Sequence, residues 1–374
     1  MKITCSNTIN VVDWDTYVQS HSGSGLYHLS GWQNVIKKTY DHQTYYLVAR
    51  QSNKSTNSNS PENQITGILS LIHLKNFIFG NSLISIPFFD SGGILADNEE
   101  VEKDLLLEAI KLAQKLKTDT LEIRHMQPLS ALYSNEFHDL DISGSQSVFH
   151  KWGFRACLQK VRMLLELSET SEALMKSFKS KLRSQIKKTM KNGLISRLGG
   201  KELIDDFYKV FLINMRDLGS PVHSKALMQN VFEEFDDRSK AIIVYKDNIP
   251  VAGSIFAGFK DTLQNPWSSS LRQYSRLAPN MLLYWTMLEY ACDNGYKWFD
   301  FGRSTLGEGT YNFKKQWGAK PEPLHWYYIP ITNNTLGLDV LEKTSFSTAI
   351  KYWQKLPISV TRIVGPGIRK HIGL

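Results

Sequence analysis

The first third of the chain shows two alternating apolar runs, then a helical pattern, then a third alternating run. Residues 45–50 and 65–74 alternate as strands do, and a polar segment rich in Ser and Asn separates them. Residues 98–116 place apolar side chains at helical spacing, and residues 120–125 alternate again. We predict two antiparallel strands, a helix and a further strand, in this order.

The same order of patterns returns in the second half of the chain. Residues 241–245 and 251–259 form a second pair of strand-like runs, a helical pattern covers 279–295, and a strand-like run covers 297–304. Two copies of strand pair, helix and strand indicate a duplicated α/β unit with mixed sheets, and therefore two tandem domains.

A basic helix is predicted between the two copies, over residues 173–193. Apolar residues recur on it every four positions, and so do Lys and Arg, and Asn192-Gly193 is a typical helix end. No acidic residue occurs from 173 to 201. The basic face has two interpretations: a solvated surface, or a surface that binds polyphosphate, RNA or acidic lipid.

The C-terminal region has a weaker pattern. Residues 346–374 alternate apolar and basic side chains around Pro357 and Pro366. Such a tail either packs on the domains, which is the commoner arrangement, or lies on a membrane surface. We predict a C-terminal extension, 326–374, that packs back on the domains, with a peripheral membrane contact as the second hypothesis.

The composition is that of a globular protein. The 374 residues are 42% hydrophobic and 21% charged, which suffices for two cores. No apolar run approaches the ~18 residues of a membrane span, and the polar N-terminus predicts no secretory signal. Three cysteines far apart predict neither disulfides nor a zinc site, so we expect a cytoplasmic protein. The net charge of +8 favours acidic partners without choosing among phosphates, nucleic acid and membrane.

Common motifs of nucleotide-binding and hydrolytic enzymes are missing from the sequence. GEGTYN (307–312) is similar to a kinase glycine-rich loop, but Asn312 replaces the third glycine and too few residues follow for a kinase domain. The chain contains no P-loop, no G-x-S-x-G and no H-E-x-x-H. Serine hydrolase chemistry and a metal site are therefore not expected.

The stretch 299–324 combines glycines and cations at the end of a predicted strand. Alternation gives this strand two faces, one with Phe299, Phe301 and Arg303, the other with Asp300, Gly302 and Ser304. Open α/β sheets form their ligand crevice at such a strand end. Arg303, together with Lys314 or Lys315, is predicted to bind phosphate or to polarise a carbonyl oxygen there.

The residues after this strand have the spacing of a helix. Tyr311 and Lys315 share one helical face, and Phe313 and Trp317 share another. Phe313 and Trp317 are interpreted as core anchors more readily than as ligand-stacking rings.

Two further stretches offer ligand-binding side chains. Residues 219–225 place His223 and Ser224 in a turn. Residues 265–285 supply polar and aromatic groups at the start of a helix, namely Trp267, Arg272, Tyr274 and Asn280. Free N–H groups at a helix N-terminus attract anions, so Asn280 is either part of an anion site or simply the helix cap.

Together these motifs resemble the Fem-like branch of the GNAT acyltransferase superfamily, and more specifically FemAB-related proteins associated with exopolysaccharide and protein-sorting systems. The resemblance rests on KLRSQIKKTMKNG, on FDFGRS followed by GTYNFKKQWG, and on PFFDSGGIL, GSPVHSK and LAPNMLLYW. It covers nearly the whole chain. It implies two tandem GNAT-like domains packed side by side, at 1–165 and 166–325.

The resemblance also implies roles for residues. Fem proteins have an F-K motif near the end of the second domain that contacts the reacting groups, and it maps onto Phe313 and Lys314. The catalytic candidates are Lys314 and Arg303, as oxyanion stabilisers, and Asp300, which with His223 is a candidate general base. The substrate-binding candidates are Ser304, Tyr311, Phe313, Lys315, Trp317, His223, Ser224, Trp267, Arg272, Tyr274, Asn280 and, from PFFDSGGIL, Asp90.

The implied activity is transfer of an acyl or aminoacyl group to an amine of a cell-envelope, peptidoglycan or exopolysaccharide precursor. Acyl-CoA or aminoacyl-tRNA would be the donor, with no permanently bound cofactor. GNAT enzymes grip the CoA pyrophosphate with R/Q-x-x-G-x-G/A, and here Pro279 stands at the first glycine of that motif.

The alternative is a non-catalytic GNAT scaffold that binds an acidic glycan, a lipid head group or RNA. In either case helix 173–193 is the predicted contact for tRNA or another acidic surface. The expected location is the cytoplasm, with peripheral contact at the inner membrane through 346–374 as a further hypothesis.

Overall fold

The chain divides into two units. The computed structural model describes residues 1–51, 64–76, 79–130, 146–149, 154–157, 160–332 and 345–373. The first unit consists of Met1–Lys160, Pro323–Lys343 and His371–Leu374, and the second of Val161–Glu322 and Thr344–Lys370. Each contains a mixed sheet covered by helices, which confirms the predicted α/β class.

The first unit contains a nine-stranded sheet, counted over the described residues. Its strands are β1 (Lys2–Ser6), β2 (Gln43–Arg50), β3 (Ile65–Asn76), β4 (Gly80–Ile84), β5 (Leu95–Ala96), β6 (Thr120–His125), β7 (Gln146–Phe149), β8 (Phe154–Cys157) and β16 (His325–Pro330). The order is β1-β2-β3-β4-β6-β16-β8-β7, with β5 beside β3. β4 and β6 run parallel.

Helices of the first unit are α1 (Val11–Ser20), α2 (Gly31–Tyr40) and α3 (Glu99–Lys115). The side chain of Asn98 caps α3 by accepting a hydrogen bond from the Val101 N–H at 3.0 Å, and acidic residues occupy its first turn. The apolar side of α3 packs on the sheet and forms the core of this unit with residues such as Leu69 and Leu121.

The second unit contains the remaining strands. They are β9 (Lys160–Glu166), β10 (Leu194–Gly199), β11 (Ser239–Lys246), β12 (Ile249–Phe259), β13 (Thr262–Ser270), β14 (Trp298–Thr305) and β15 (Lys320–Pro323). Their order is β10-β11-β12-β13-β14-β9-β15. β13 and β14 run parallel, so a helix has to carry the chain from one to the other.

Helices of the second unit are α4 (Ser171–Ser177), α5 (Ser180–Lys191), α6 (Ile204–Leu218), α7 (Lys225–Glu234), α8 (Pro279–Asp293), α9 (Gly309–Lys315), α10 (Ser345–Trp353) and α11 (Ile358–Arg369). α8 joins β13 to β14 and is apolar on nearly every side, as a helix buried in a core has to be. Its residues Leu283, Met287 and Leu288 are fully buried against the sheet and α5.

The predicted repeat is present, but each copy has one more strand than the sequence indicated. In both units three antiparallel strands precede the helix, and the next strand runs parallel to the third: β2-β3-β4 then α3 and β6, and β11-β12-β13 then α8 and β14. Both predicted strand pairs are therefore present, as β2–β3 and β11–β12, and the sequence prediction missed the third strand of each copy. β4 is only five residues long, and β13 contains Pro266 and a polar run, so neither shows a clear apolar alternation.

The single helix predicted over 173–193 is in fact two helices. α4 ends at Ser177, and Phe178 and Lys179 are extended before α5 begins. The break places the Phe178 ring edge-on against Trp285 and Trp317, with ring centroids 6.2 and 5.6 Å away. Arg183 Nη1 spans the break by donating to the Lys176 and Phe178 carbonyls, both at 3.0 Å. Tertiary aromatic packing therefore overrides the local helical pattern.

Candidate functional site

The ends of β13 and β14 form the candidate site in the second unit. Parallel pairing joins Thr262 to Trp298, Leu263 to Phe299 and Gln264 to Asp300, and it ends there although the strands continue to Ser270 and Thr305. Pro266 lies two residues after Gln264, and the β12–β13 register shifts at Asn265 and Pro266. Proline has no backbone N–H to donate to a neighbouring strand, so Pro266 accounts for this local irregularity. We call residues 265–270 and 301–305 the strand-end junction.

Gly302 bends β14 at this junction. Its φ of 74° lies in the left-handed region, and a Cβ there would lie 3.1 Å from the Asn265 carbonyl oxygen. A glycine is required for both reasons. The regular two-face alternation predicted for this strand therefore does not extend past Phe301.

Gly302→Ala is expected to lower the free energy of unfolding by about 1–2 kcal/mol, because an L-residue is strained at this φ. Chemical denaturation of the purified chain measures the change. Gly309→Ala is the matched control, because Gly309 has no heavy atom within 4 Å of its virtual Cβ and lies in α9. Equal stabilities of Gly302→Ala, Gly309→Ala and the wild type would contradict this account of the bend.

A buried polar network occupies the β12–β13 side of the junction. The Ser254 hydroxyl donates to Asn265 Oδ1 at 2.8 Å, and Asn265 Nδ2 donates to Ser268 Oγ at 2.7 Å. The Tyr284 hydroxyl from α8 joins this network, and burial raises its pKa while its hydrogen bonds with Ser268 and Asn265 oppose the rise. Neutral donors and acceptors are thus held in place beside the junction.

Lys314 closes the junction from α9. It is 7% exposed, and its Nζ donates to the carbonyl oxygens of Gly302 at 3.0 Å and Arg303 at 2.7 Å. Ser304 lies in the same strand, and its buried Oγ has no hydrogen-bond partner among the described residues. A buried cation from α9 and an unsatisfied hydroxyl of β14 therefore occur at the same strand end.

Asp300 holds the turn of β14. Its Oδ1 accepts a hydrogen bond from the Gly302 N–H at 2.8 Å, and its Oδ2 lies 4.0 Å from Arg162 Nη1 on β9. Arg162 also donates from Nε to Glu322 Oε2 at 2.8 Å. One carboxylate oxygen of Asp300 thus contacts the backbone of β14, and the other faces the Arg162 guanidinium.

The aromatic residues after β14 pack inward to different degrees. Trp317 is 1% exposed and belongs to the core cluster, whereas Phe313 is half-buried, with its ring centroid 5.1 Å from that of Tyr284. Lys315 is exposed and its Nζ lies 5.8 Å from the Tyr311 ring centroid. Tyr311 and Phe313 lie on the same short helix as Lys314.

The N-terminus of α8 follows the other strand of the junction. A 3₁₀ turn, Arg272–Leu277, leads to Ala278, which caps the helix with a φ of 55°, and Pro279 is its first residue. Asn280 therefore lies inside the helix, and the hypothesis that it is the cap was wrong because Pro279 already occupies the first helical position. Arg272 and Arg276 are exposed beside this N-terminus.

Three predicted residues lie on other elements. His223 is 2% exposed and its Nε2 accepts from Arg369 Nε at 3.0 Å; burial, with the neighbouring guanidinium, holds its pKa well below the usual range. Ser224 caps α7 by accepting from the Leu227 N–H at 3.3 Å. Asp90 belongs to the first unit, where its carbonyl accepts from Trp326 Nε1 at 2.9 Å.

Sequence reasoning missed four residues of the site: Arg162, Ser254, Asn265 and Ser268. They come from three strands, and their side chains meet only once the sheet has formed. One feature of the sequence indicated an irregularity here: Pro266 follows Asn265, and a proline within a strand marks a bulge or an edge strand.

A family model of the acetyltransferase (GNAT) domain matches residues 176–315, which include β10 to β14, α8 and α9. No curated protein matches the sequence.

Solved structures share the fold at low identity. The crystal structure of FemX is 16% identical with a TM-score of 0.66, over 92% of this chain and 100% of that chain. The C-terminal domain of a putative lysylphosphatidylglycerol synthetase from Agrobacterium fabrum is 13% identical with a TM-score of 0.53, over 88% and 94%. A tandem GNAT protein from the clavulanic acid biosynthesis pathway is 10% identical with a TM-score of 0.51, over 89% and 100%. These findings confirm the predicted fold of two tandem GNAT-like domains.

Proposed function

We propose that this chain is an acyltransferase of the GNAT superfamily with a Fem-like fold, and that it transfers an acyl or aminoacyl group to an amine of a cell-envelope, peptidoglycan or exopolysaccharide precursor. The observation that carries the proposal is the strand-end junction. On one side of the junction are the Lys314 ammonium and the buried Ser304 hydroxyl, which has no hydrogen-bond partner in the described part of the chain. On the other side is the Asn265–Ser268 network. All these residues lie within the part of the chain that the GNAT domain matches.

The reaction would begin with attack of the amine nitrogen on the acyl carbonyl carbon. The carbonyl oxygen takes up negative charge in the tetrahedral intermediate, and the bond to the donor sulfur or oxygen then breaks. The amine loses a proton and the leaving sulfur or oxygen gains one. An oxyanion next to a buried, prepositioned cation is stabilised far more than in water.

Lys314 is the proposed source of that positive charge. The carbonyls of Gly302 and Arg303 hold its Nζ at the strand exit, so the charge needs no rearrangement when the oxyanion forms. The guanidinium of the half-buried Arg303 is the second candidate.

Asp300 is proposed to position this group rather than to act as the base. Its bond to the Gly302 N–H fixes the turn whose carbonyls hold Lys314. His223 is not assigned to the reaction, because it is buried and bonded to Arg369 of α11.

A phosphate-bearing donor is supported by the α8 N-terminus. Arg272 and Arg276 are exposed beside it, and its first turn contains no acidic residue. Ala278 adopts the left-handed conformation that a glycine would adopt easily, whereas Pro279 removes one N–H from the turn. Both acyl-CoA and the 3′ end of an aminoacyl-tRNA carry suitable phosphates.

The test is formation of an amide by the full-length chain. Acyl-CoAs and aminoacyl-tRNAs are supplied separately with a lysine-containing peptidoglycan peptide or an amino sugar glycan, and the product is detected by mass spectrometry. We expect an acceptor mass increased by one acyl group with one donor class.

The second candidate is a non-catalytic scaffold, favoured by the exposed lysines of α5, which has no acidic residue. Absence of amide with every donor, together with a melting temperature raised only by acidic glycans, lipid head groups or RNA, would replace the transferase with this scaffold.

A further inference from the structure

The C-terminal helices α10 and α11 form what we call the C-terminal helix pair, and one of its sides is fixed to the second unit. α11 packs on α6, with Thr361 1% exposed. Gly365 lies so close to Val222 that a Cβ would approach its Cγ1 to 3.1 Å. The side chain of Gln354, after α10, donates to the Asp217 carbonyl at 3.0 Å. These contacts leave the remaining face of the pair to be explained.

That remaining face is apolar. Ile363 is 77% exposed and Tyr352 70% exposed, which are the two highest values among the exposed large apolar residues of the second unit; Ile195 follows at 69%. Among the residues whose burial the structure describes, Val360, Ile363 and Val364 are exposed at helical spacing on α11 and Tyr352 is exposed on α10, whereas the partly exposed Ile350 lies against Gly219. Apolar side chains grouped in this way mark an interaction surface rather than scattered exposure.

The charge of the pair has one sign. Residues 345–374 contain no Asp or Glu. Their basic residues are Lys351, Lys355, Arg362, Arg369 and Lys370. Arg369 is bonded to His223, whereas Lys351, Lys355 and Arg362 are exposed.

Helix α5 shows why the two properties matter together. α5 is also basic, but it buries Leu182 and Ile186 and exposes one large apolar side chain, Met190, so lysine dominates its exposed face. A basic face alone suits a soluble polyanion. A face that exposes both aliphatic or aromatic side chains and lysines suits the boundary between lipid head groups and acyl chains.

We propose that the C-terminal helix pair docks on an anionic lipid bilayer. Tyr352 and Ile363 enter the interfacial region, and Lys351 and Lys355 contact the acidic head groups. Among the described residues no helix is long and apolar enough to cross a bilayer. The exposed apolar side chains lie along the sides of two short helices, so docking is in the plane of the surface. This inference does not rest on acyl transfer, and it is tested without a substrate.

The test is co-sedimentation of the full chain with vesicles. We expect binding to vesicles of phosphatidylcholine mixed with phosphatidylglycerol, weak binding to phosphatidylcholine alone, and weakening by salt. Tyr352→Ser and Ile363→Ser should each reduce the affinity by roughly tenfold or more, because each removes apolar area from the interface. Lys351→Glu and Lys355→Glu should each reduce it at least about fivefold.

Matched controls separate docking from general effects. Ile195→Ser changes an equally exposed apolar residue on β10, and Lys297→Glu changes an exposed lysine before β14; both should bind as the wild type does. The substituted side chains are exposed, and circular dichroism melting confirms that each variant folds.

Three results would overturn the proposal: no binding to either vesicle, equal binding to both, or binding that depends on the lysines of α5 and not on Tyr352 and Ile363. The last result would instead indicate a polyanion surface on α5.

Discussion

Lys314→Ala is expected to lower the kcat of amide formation about 10²–10³-fold, the usual effect of removing one donor that stabilises an oxyanion. The loss should appear mainly in kcat, since the proposed contact strengthens as the oxyanion forms. Initial rates by mass spectrometry or by release of free thiol measure it. Lys320→Ala is the matched control, because Lys320 is an exposed lysine on β15.

Lys314 has a structural contact as well as its proposed role in the reaction, so a second variant is needed. Lys314 also holds two carbonyls of β14, so its loss affects the turn. Arg303→Ala removes a guanidinium but keeps the carbonyl that Lys314 binds. Unchanged turnover in both Lys314→Ala and Arg303→Ala would rule out the proposed oxyanion site.

Arg124→Met is expected to lower the free energy of unfolding of the first unit by about 3–5 kcal/mol, as loss of one partner of a buried ion pair does. Arg124 is fully buried, and it donates to Glu122 Oε1 at 2.8 Å and to the Phe89 carbonyl at 2.6 Å. Its guanidinium carbon also lies 4.8 Å from the Trp326 ring centroid. Removing it leaves the buried Glu122 carboxylate without its cation and the Phe89 carbonyl without this donor.

The control for this prediction is Lys111→Met. Lys111 pairs with Glu108 at 2.6 Å on the surface of α3, and such a pair contributes at most about 1 kcal/mol. Urea denaturation followed by tryptophan fluorescence compares the two variants. Adding Glu122→Gln to Arg124→Met should restore part of the loss, and similar stabilities for Arg124→Met and Lys111→Met would contradict the buried-pair account.

The sequence predicted the repeat because its strongest elements obey local rules. The β2–β3 and β11–β12 runs alternate apolar and polar residues or are continuously apolar, and α3 and α8 have helical spacing. The sequence did not predict β13, because Pro266 and three serines interrupt the apolar alternation of this partly buried strand. The sequence also did not predict the break between α4 and α5. This break depends on packing of Phe178 against Trp285 and Trp317, which lie far away in sequence.

Some residues of the candidate site could also be predicted from the sequence, and others could not. Asp300, Ser304 and Lys314 could be selected because they lie within one short stretch that includes a strand end. Asn265 and Arg162 could not, because they reach the junction from other strands of the sheet. His223 had attractive chemistry for a base, but its burial against α11 depends on a helix near the C-terminus.

Hydrogen exchange of backbone amides tests the location of the site most directly. The chain is compared with and without a saturating unreactive product of the donor that supports amide formation: coenzyme A for a thioester, or deacylated tRNA for an aminoacyl ester. The account predicts slower exchange at 265–270, 302–305 and the first turn of α8. Slower exchange confined to the first unit or to the C-terminal helix pair, with these segments unchanged, would contradict it.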